Sequence, residues 1–138
     1  MKKIIAVLLV LMLSVSILAG CGGGVSGKYT IVQIEEDGEV TIWADHIKEM
    51  EEMYKEYEGM EGFEDYVFKA SDYEMVLEFL SGGKCKWTQG EDSEDLTFEV
   101  KGKDITLKDT EGEELKGTID GKKIVLDMYG SKMTFEKK

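Results

Sequence analysis

Hydrophobic and polar residues alternate along most of the chain beyond residue 27, a pattern typical of half-buried β-strands. Two early stretches, Lys28 to Ile34 and Val40 to Trp43, predict two strands joined by a turn at Asp37-Gly38. From Tyr73 onward the alternation is regular. Its apolar positions are Met75, Leu77, Phe79, Cys85, Trp87, Leu96, Phe98, Val100, Ile105, Leu107, Leu115, Ile119, Ile124, Leu126, Met128, Met133 and Phe135.

In the second half of this pattern, glycines occur at regular intervals between the predicted strands. Gly102, Gly112, Gly121 and Gly130 fall nine or ten residues apart, each beside a charged residue or a serine. That spacing predicts consecutive hairpins in an antiparallel meander. Because a closed sheet leaves no unpaired edge, so many short strands favour a barrel. We therefore predict a mainly β domain over residues 28–138, a meander closing into a barrel of about eight strands.

One segment breaks the alternation. Between Ala44 and Glu58 the apolar residues fall three or four positions apart, which predicts an amphipathic helix inserted after the first strands. Asp45 is the expected N-cap and Gly59 the expected stop. The aromatic-rich stretch from Phe63 to Phe68 follows, and two interpretations stay open: a second short helix, or a segment folded over a barrel mouth.

Four apolar side chains share the inward faces of the predicted strands and are the candidate barrel-interior or ligand-lining residues: Met75, Phe79, Trp87 and Phe98. A barrel of about eight strands is either filled by its side chains or holds one small ligand. We expect a filled core containing Trp87, with an apolar pocket as the alternative. Cys85 shares the face of Trp87, and we interpret it as a buried small hydrophobe.

The N-terminus combines Lys2 and Lys3, an apolar run from Ile4 to Leu13 and small residues before Cys21, which are the parts of a secretory signal over residues 1–20. Leu18-Ala19-Gly20-Cys21 resembles the lipobox of bacterial lipoproteins. The resemblance implies fatty acids such as palmitate on Cys21, a Gly-rich tether over residues 21–27 and a lipid-anchored domain on the extracytoplasmic face of the cell membrane. The alternative is an uncleaved membrane anchor with a chance cysteine.

The charge excludes one class of partner. The formal net charge is −12, and it becomes more negative once a signal holding Lys2 and Lys3 is removed. The chain contains no arginine, so we expect no nucleic-acid binding. Three acidic runs fall at predicted turns, and we interpret them as solvated loops, with weak divalent-cation binding as the alternative: Glu35–Glu39, Glu91–Asp95 and Asp109–Glu114.

The residues of catalysis are scarce. The single imidazole is His46, at a predicted strand-to-helix junction, and we interpret it as solvated. A nucleophilic site needs a nucleophile, a base and an orienting group, and catalytic zinc needs three protein ligands. No Gly-x-Ser-x-Gly pattern and no phosphate-cradling glycine loop follows a predicted strand. We therefore predict no enzyme activity, no metal site and no cofactor.

The order of these features is similar to a known family. After the lipobox come Gly27-Lys28-Tyr29-Thr30 at the first strand, Gly82-Gly83-Lys84 before Trp87, and a run from Gly117 to Ile124. The chain resembles the small lipocalin-like lipoproteins of Gram-positive bacteria, whose function is generally uncharacterised. The Gly27-x-Tyr29 opening resembles the Gly-x-Trp of lipocalins, with Tyr in place of Trp.

Two functions from different classes follow. The resemblance implies a non-catalytic binding module for a small apolar ligand or an envelope partner. The alternative is a structural or interaction protein with a filled core that works through its acidic outer surface. A solvent-reachable cavity favours the first, whereas a packed core beside an exposed aromatic patch favours the second. We expect a monomer held to the membrane by its lipid.

Overall fold

The computed structural model describes residues 24–138. The predicted signal over residues 1–20, the predicted lipid site Cys21 and the residues Gly22 and Gly23 lie outside this range. Within it, no helix has the length and apolar character needed to cross a membrane.

Nine strands and one α-helix make up the described chain, with a short 3-10 helix before the third strand. In chain order they are β1 (Gly27–Glu36), β2 (Glu39–Ile42), α1 (Trp43–Tyr57), the 3-10 helix (Ala70–Tyr73), β3 (Met75–Leu80), β4 (Lys84–Gln89), β5 (Asp92–Lys101), β6 (Asp104–Lys108), β7 (Glu114–Asp120), β8 (Lys123–Met128) and β9 (Ser131–Lys137).

Eight of these strands form a closed antiparallel barrel. The order runs β1, β3 and then sequentially to β9, and β9 pairs back onto β1. One edge of β1 pairs with β9, and the opposite edge pairs with two strands in turn. On that edge, Gly27 to Thr30 pair with β3, and Gln33 to Glu36 pair with β2. The predicted mainly β barrel of about eight strands, with one helix after the first strands, is confirmed.

A β-bulge in β1 changes which side chains face inward. Ile31 pairs with Phe135 but Gln33 already pairs with Thr134, so Val32 has no partner in the register. An extra residue in one strand reverses the alternation beyond it. Ile31 and Ile34, three positions apart, therefore both pack against the core.

The two ends of the barrel differ. At the end where β1, β4, β6 and β8 begin, which we call the filled end, aromatic rings occupy the interior. Tyr29 meets Phe79 edge-on at 5.4 Å between ring centroids, and Phe79 meets Phe98 at 4.9 Å. Val25, within the predicted tether, is also buried in this core. Val25 therefore belongs to the packed barrel.

Strands β7 and β8 approach each other closely at Gly117. A Cβ on this residue would overlap the carbonyl oxygen of Val125 and lie 2.8 Å from Cδ2 of Leu126. Only a residue without a side chain fits between these atoms, so Gly117 is required by packing and not by a turn.

The helix begins one residue earlier than predicted, at Trp43. Its N-cap is Ile42, which makes no side-chain capping hydrogen bond, so the prediction that Asp45 is the N-cap is wrong. Asp45 lies instead in the first helical turn, where its negative charge interacts favourably with the positive end of the helix dipole. The start is held by the Trp43 indole, whose Nε1 donates to the Tyr73 carbonyl oxygen at 3.1 Å.

The helix ends where the sequence predicts. Tyr57 is its last residue, Glu58 is the C-cap, and Gly59 follows with a φ of +83°. A left-handed residue directly after a helix is the conformation that glycine adopts at little cost.

The aromatic-rich segment after the helix forms turns instead of a second α-helix, and it stacks on α1. The ring of Tyr66 lies 5.0 Å from that of Tyr54, and Phe63 lies 5.4 Å from Tyr57. Together they leave an exposed apolar surface, which we call the aromatic face and which consists of Met53, Tyr57, Met60, Phe63, Tyr66 and Val67.

Candidate ligand cavity

A cavity of about 530 Å³ opens at the end of the barrel where β4, β6 and β8 finish, opposite the filled end. Its wall comes from five consecutive strands and their connections. The lining residues are Trp87, Glu94, Leu96, Leu107, Asp109, Glu113, Glu114, Leu115, Asp127, Met128 and Tyr129.

The floor of the cavity is apolar. Alternation along β5 and β6 turns Leu96 and Leu107 inward, and both are buried. The Trp87 indole is partly buried and meets Phe135 edge-on, with 5.6 Å between ring centroids. Leu115 and Met128 are also partly buried against this core. The floor is therefore continuous with the packed interior.

Carboxylates surround the floor. Glu94 is exposed and lies directly opposite Trp87 in the β4–β5 register. Directly paired residues have side chains about 5 Å apart at Cβ, so the Glu94 carboxylate and the indole are close neighbours. Glu94 has the same strand parity as Leu96, so the acidic group occupies an inward position at the mouth.

The β6–β7 connection is fixed by one acidic side chain. Oδ1 of Asp109 accepts hydrogen bonds from the backbone N–H groups of Glu111, at 2.9 Å, and Glu113, at 2.8 Å. These two bonds hold the loop in one conformation. Glu113 is thereby positioned at the mouth of the cavity, where its side chain is exposed.

Tyr129 reaches the same rim from the β8–β9 hairpin. Its side chain is 90% exposed, and its hydroxyl donates to Oε2 of Glu113 at 3.5 Å. The backbone has a φ of +51°, followed by +92° at Gly130. A two-residue hairpin loop of type I′ has positive φ at both positions, which Gly, Asn and Asp adopt readily and a bulky side chain does not. Tyr129 is thus a strained, exposed aromatic residue at the cavity mouth.

The four candidate interior residues divide between core and cavity. Met75, Phe79 and Phe98 are buried in the packed core, and only Trp87 lines the cavity. Packed side chains therefore occupy the interior at the filled end, whereas the cavity adjoins Trp87 at the other end. The physical reason is that the inward positions near the mouth carry carboxylates, which remain hydrated instead of packing together.

Several cavity residues were missed by sequence reasoning, which assigned Glu94, Asp109 and Glu113 to solvated loops. Continuing the strand parity beyond the last apolar residue would have placed Glu94 inward with Leu96. For Tyr129 the signal was a large aromatic residue directly before Gly130 in a short hairpin loop.

The remaining reactive side chains lie apart from the cavity. Cys85 is 1% exposed, as predicted for a buried hydrophobe, and burial, assisted by the charge of Glu78, raises the pKa of its thiol to about 12. Ser81 and Lys84 have the Ser-x-x-Lys spacing of some acyl-transfer enzymes, but both side chains are exposed, Ser81 in the β3–β4 turn and Lys84 at the start of β4. His46 lies in α1 beside Trp43, with 5.3 Å between ring centroids. Within residues 24–138, no three side chains of the metal-binding types gather into a site.

At the filled end an aromatic residue is covered by a cation. Tyr29 is 2% exposed, and burial raises its pKa. Nζ of Lys137 lies 5.9 Å from the centroid of the Tyr29 ring, within the range of a cation–π interaction. In a chain without arginine, a lysine from β9 thus covers the aromatic residue that opens β1.

A closed eight-stranded antiparallel barrel with a cavity at one end defines the class of small β-barrel binding proteins. The chain belongs to the lipocalin-like domain family, whose profile matches residues 25–134. Neither the curated proteins nor the solved structures gave a match. This fold is generally a binding fold without catalytic activity, suited to small hydrophobic ligands.

Proposed function

We propose that the protein is a membrane-anchored extracytoplasmic lipoprotein that binds a small, largely apolar ligand in the cavity beside Trp87 and performs no catalysis. The observation that carries the binding function is the cavity itself. Its volume of about 530 Å³ falls within the range of small-molecule sites, and its floor is formed by apolar side chains.

The anchor is supported by the sequence of the first 21 residues. Two acyl chains hold a protein stably to a bilayer, at about 0.8 kcal/mol for each buried CH₂, whereas one chain holds it marginally. The chain enters the barrel at the filled end, where Val25 is buried and β1 begins. An anchor on Cys21 therefore leaves the cavity open at the end away from the membrane, facing the aqueous phase.

The anchor is tested by changing the proposed attachment site. Replacing Cys21→Ala should abolish incorporation of radioactive palmitate and leave an unprocessed precursor, while Cys85→Ala, which removes the other thiol, should be labelled and processed as the parent is. Labelling that persists in Cys21→Ala would exclude this residue as the anchor.

The two tryptophans provide a matched test of the cavity. Trp87 lines it, whereas Trp43 lies at the start of α1. The full chain in lipid nanodiscs should bind the neutral fluorophore N-phenyl-1-naphthylamine above the level of empty nanodiscs. Trp87→Phe should weaken this binding and Trp43→Phe should not. Equal effects of the two substitutions, or no binding by the parent, would contradict the proposal. Native mass spectra of the purified chain would show any ligand that it retains.

One observation favours a second function, recognition of an envelope partner. The aromatic face is exposed, with Met60 at 50% and Val67 at 72% exposure. Exposed apolar side chains that are grouped on one part of a protein surface often mark sites of protein association. Cross-linking in intact cells tests this function: a protein adduct lost in Val67→Ser but retained in Trp87→Phe would assign partner binding to the aromatic face. If every adduct formed by the parent is also formed by Val67→Ser, the second function is excluded.

A further inference from the structure

We propose that the ligand of the cavity is a small organic cation with an apolar body, such as a quaternary amine; this inference rests on the proposed binding function. The cavity combines an apolar floor, an indole face and a rim of negative charge. The charge selects the ligand's head group, and the floor holds the rest of the molecule.

The charge of the rim has one sign. Five of the lining residues are carboxylates and none is a lysine: Glu94, Asp109, Glu113, Glu114 and Asp127. The three ion pairs among residues 24–138 involve none of these five side chains. The neighbouring strand lysines are exposed and pair with two of the five carboxylates, Lys108 with Glu114, and Lys116 and Lys132 with Asp127. The other three carboxylates, Glu94, Asp109 and Glu113, have the same strand parity as the inward residues Leu96, Leu107 and Leu115. Electrostatic potential is focused in clefts lined by one sign of charge, so the mouth attracts cations and repels anions.

The position of Trp87 distinguishes an organic cation from a metal ion. Glu94 lies across the register from Trp87, so a positive head group bound by this carboxylate is placed beside the indole ring. Trp is the strongest cation–π partner among the aromatic residues, and it suits quaternary ammonium groups well. A metal ion prefers converging oxygen ligands to an aromatic and aliphatic floor, and no such cluster occurs in the described residues.

The apolar floor requires a ligand with a hydrophobic part. Leu96, Leu107 and Leu115 line the cavity below the carboxylates. A fully hydrated small cation would leave this surface in contact with water, whereas an alkyl or aryl body would remove it from water at about 25 cal/mol per Å². An amphiphilic cation matches both the apolar floor and the negatively charged rim of the cavity.

The orientation of the barrel agrees with this ligand. The mouth lies at the end opposite the start of β1, so an anchor preceding β1 leaves it facing the aqueous phase. A charged amphiphile of this size reaches the site through water, whereas a strongly hydrophobic ligand would remain in the bilayer.

Three probes that share one aromatic body test the proposal: benzyltrimethylammonium, benzyl alcohol and phenylacetate. Their affinities are measured by calorimetry for the full chain in nanodiscs of zwitterionic lipid, with empty nanodiscs as the blank. We expect the cation to bind about tenfold more tightly than the alcohol, because a cation–π contact and attraction to partly exposed carboxylates both add to its binding energy. The anion should bind least.

A matched pair of substitutions separates the site from the general negative charge of the protein. Glu94→Gln removes the carboxylate opposite Trp87, whereas Glu99→Gln removes an exposed, outward-facing carboxylate of the same strand. Glu94→Gln should reduce the affinity for the cation several-fold and leave that for the alcohol unchanged. Glu99→Gln should alter neither.

Each other outcome has a definite meaning. If the alcohol binds as tightly as the cation, or if the two substitutions have equal effects, the cationic ligand is excluded while the apolar binding function stands. If neither these probes nor N-phenyl-1-naphthylamine binds, the proposed function fails and the cationic ligand fails with it.

Discussion

At the scale of single residues, Tyr129 combines exposure, backbone strain and a position at the cavity mouth. Aromatic side chains that are 90% exposed contribute little to folding, and a positive φ makes this one unfavourable. Strain of this kind is retained where the side chain serves another purpose. The contact of its hydroxyl with Glu113 places Tyr129 at the rim of the cavity.

Replacing Tyr129→Asn should stabilise the protein by about 1 kcal/mol, because asparagine adopts positive φ with less strain. The same substitution should weaken binding of the cationic probe. Urea unfolding measures the first effect and calorimetry the second. Asp37→Asn is the matched control: it occupies the equivalent place in the β1–β2 hairpin, with a φ of +52°, and should change neither. Unchanged stability in Tyr129→Asn would show that the backbone is not strained.

Cys85 is predicted to be inert in the folded state. Its pKa of about 12 means that almost no thiolate exists near neutral pH, and its side chain is inaccessible. In Cys21→Ala, where Cys85 is the sole cysteine, a thiol reagent at about pH 8 should react only after urea is added. Rapid reaction in the folded state would contradict the buried position.

The same thiol makes stability depend on alkaline pH. The folded pKa lies above the unfolded value of about 8.5, so the unfolded state loses its proton first. The stabilising contribution is complete below the unfolded pKa and is lost progressively as the pH rises toward about 12. Relative to the parent, Cys85→Ala should therefore lose less stability over this alkaline range, which urea unfolding at several pH values measures.

At the scale of elements, the approach of β7 to β8 depends on Gly117. Gly117→Ala would place a methyl group against the carbonyl of Val125, forcing the strands apart. We expect a loss of about 1–3 kcal/mol in the free energy of unfolding, typical of overpacking. Thr118→Ala, the exposed neighbour on the same strand, should change stability by less than about 0.5 kcal/mol. Similar effects of the two substitutions would refute the close approach.

Strands were more predictable than helix boundaries in this chain. Alternation and turn glycines are local signals, and they gave the meander correctly from Met75 to Phe135. The Asp45 capping argument missed the helix start because α1 begins at Trp43 without a side-chain cap, and the local sequence does not show the tertiary hydrogen bond from Trp43 to the Tyr73 carbonyl that fixes this end. The bulge at Val32 was also not predictable from local sequence, because it depends on pairing with the distant strand β9.

At the scale of the whole molecule, the candidate site was harder to predict than the fold. The inward position of Trp87 follows from alternation, but the cavity is formed only when the closed barrel places the acidic ends of several strands around the same mouth. Glu94 and Glu113 come from β5 and from the β6–β7 connection. In a chain with 29 acidic residues, nothing local marks these two, so only the closed barrel identifies them.

Because one barrel end is packed and the other opens to a cavity, Phe135→Ala and Trp87→Ala should lower the free energy of unfolding by different amounts. Phe135 is fully buried, whereas Trp87, its edge-on neighbour, is partly exposed to the cavity. Phe135→Ala should cost about 3–5 kcal/mol, because it leaves a void in a packed core. Trp87→Ala should cost about 2 kcal/mol, because water already reaches one side of the indole and the new space joins the cavity. Trp43→Ala serves as the control for loss of an indole elsewhere, and urea unfolding of all three variants measures the costs. A loss of 3–5 kcal/mol in Trp87→Ala, equal to that in Phe135→Ala, would mean that the interior is filled at both ends and that the cavity is closed in solution.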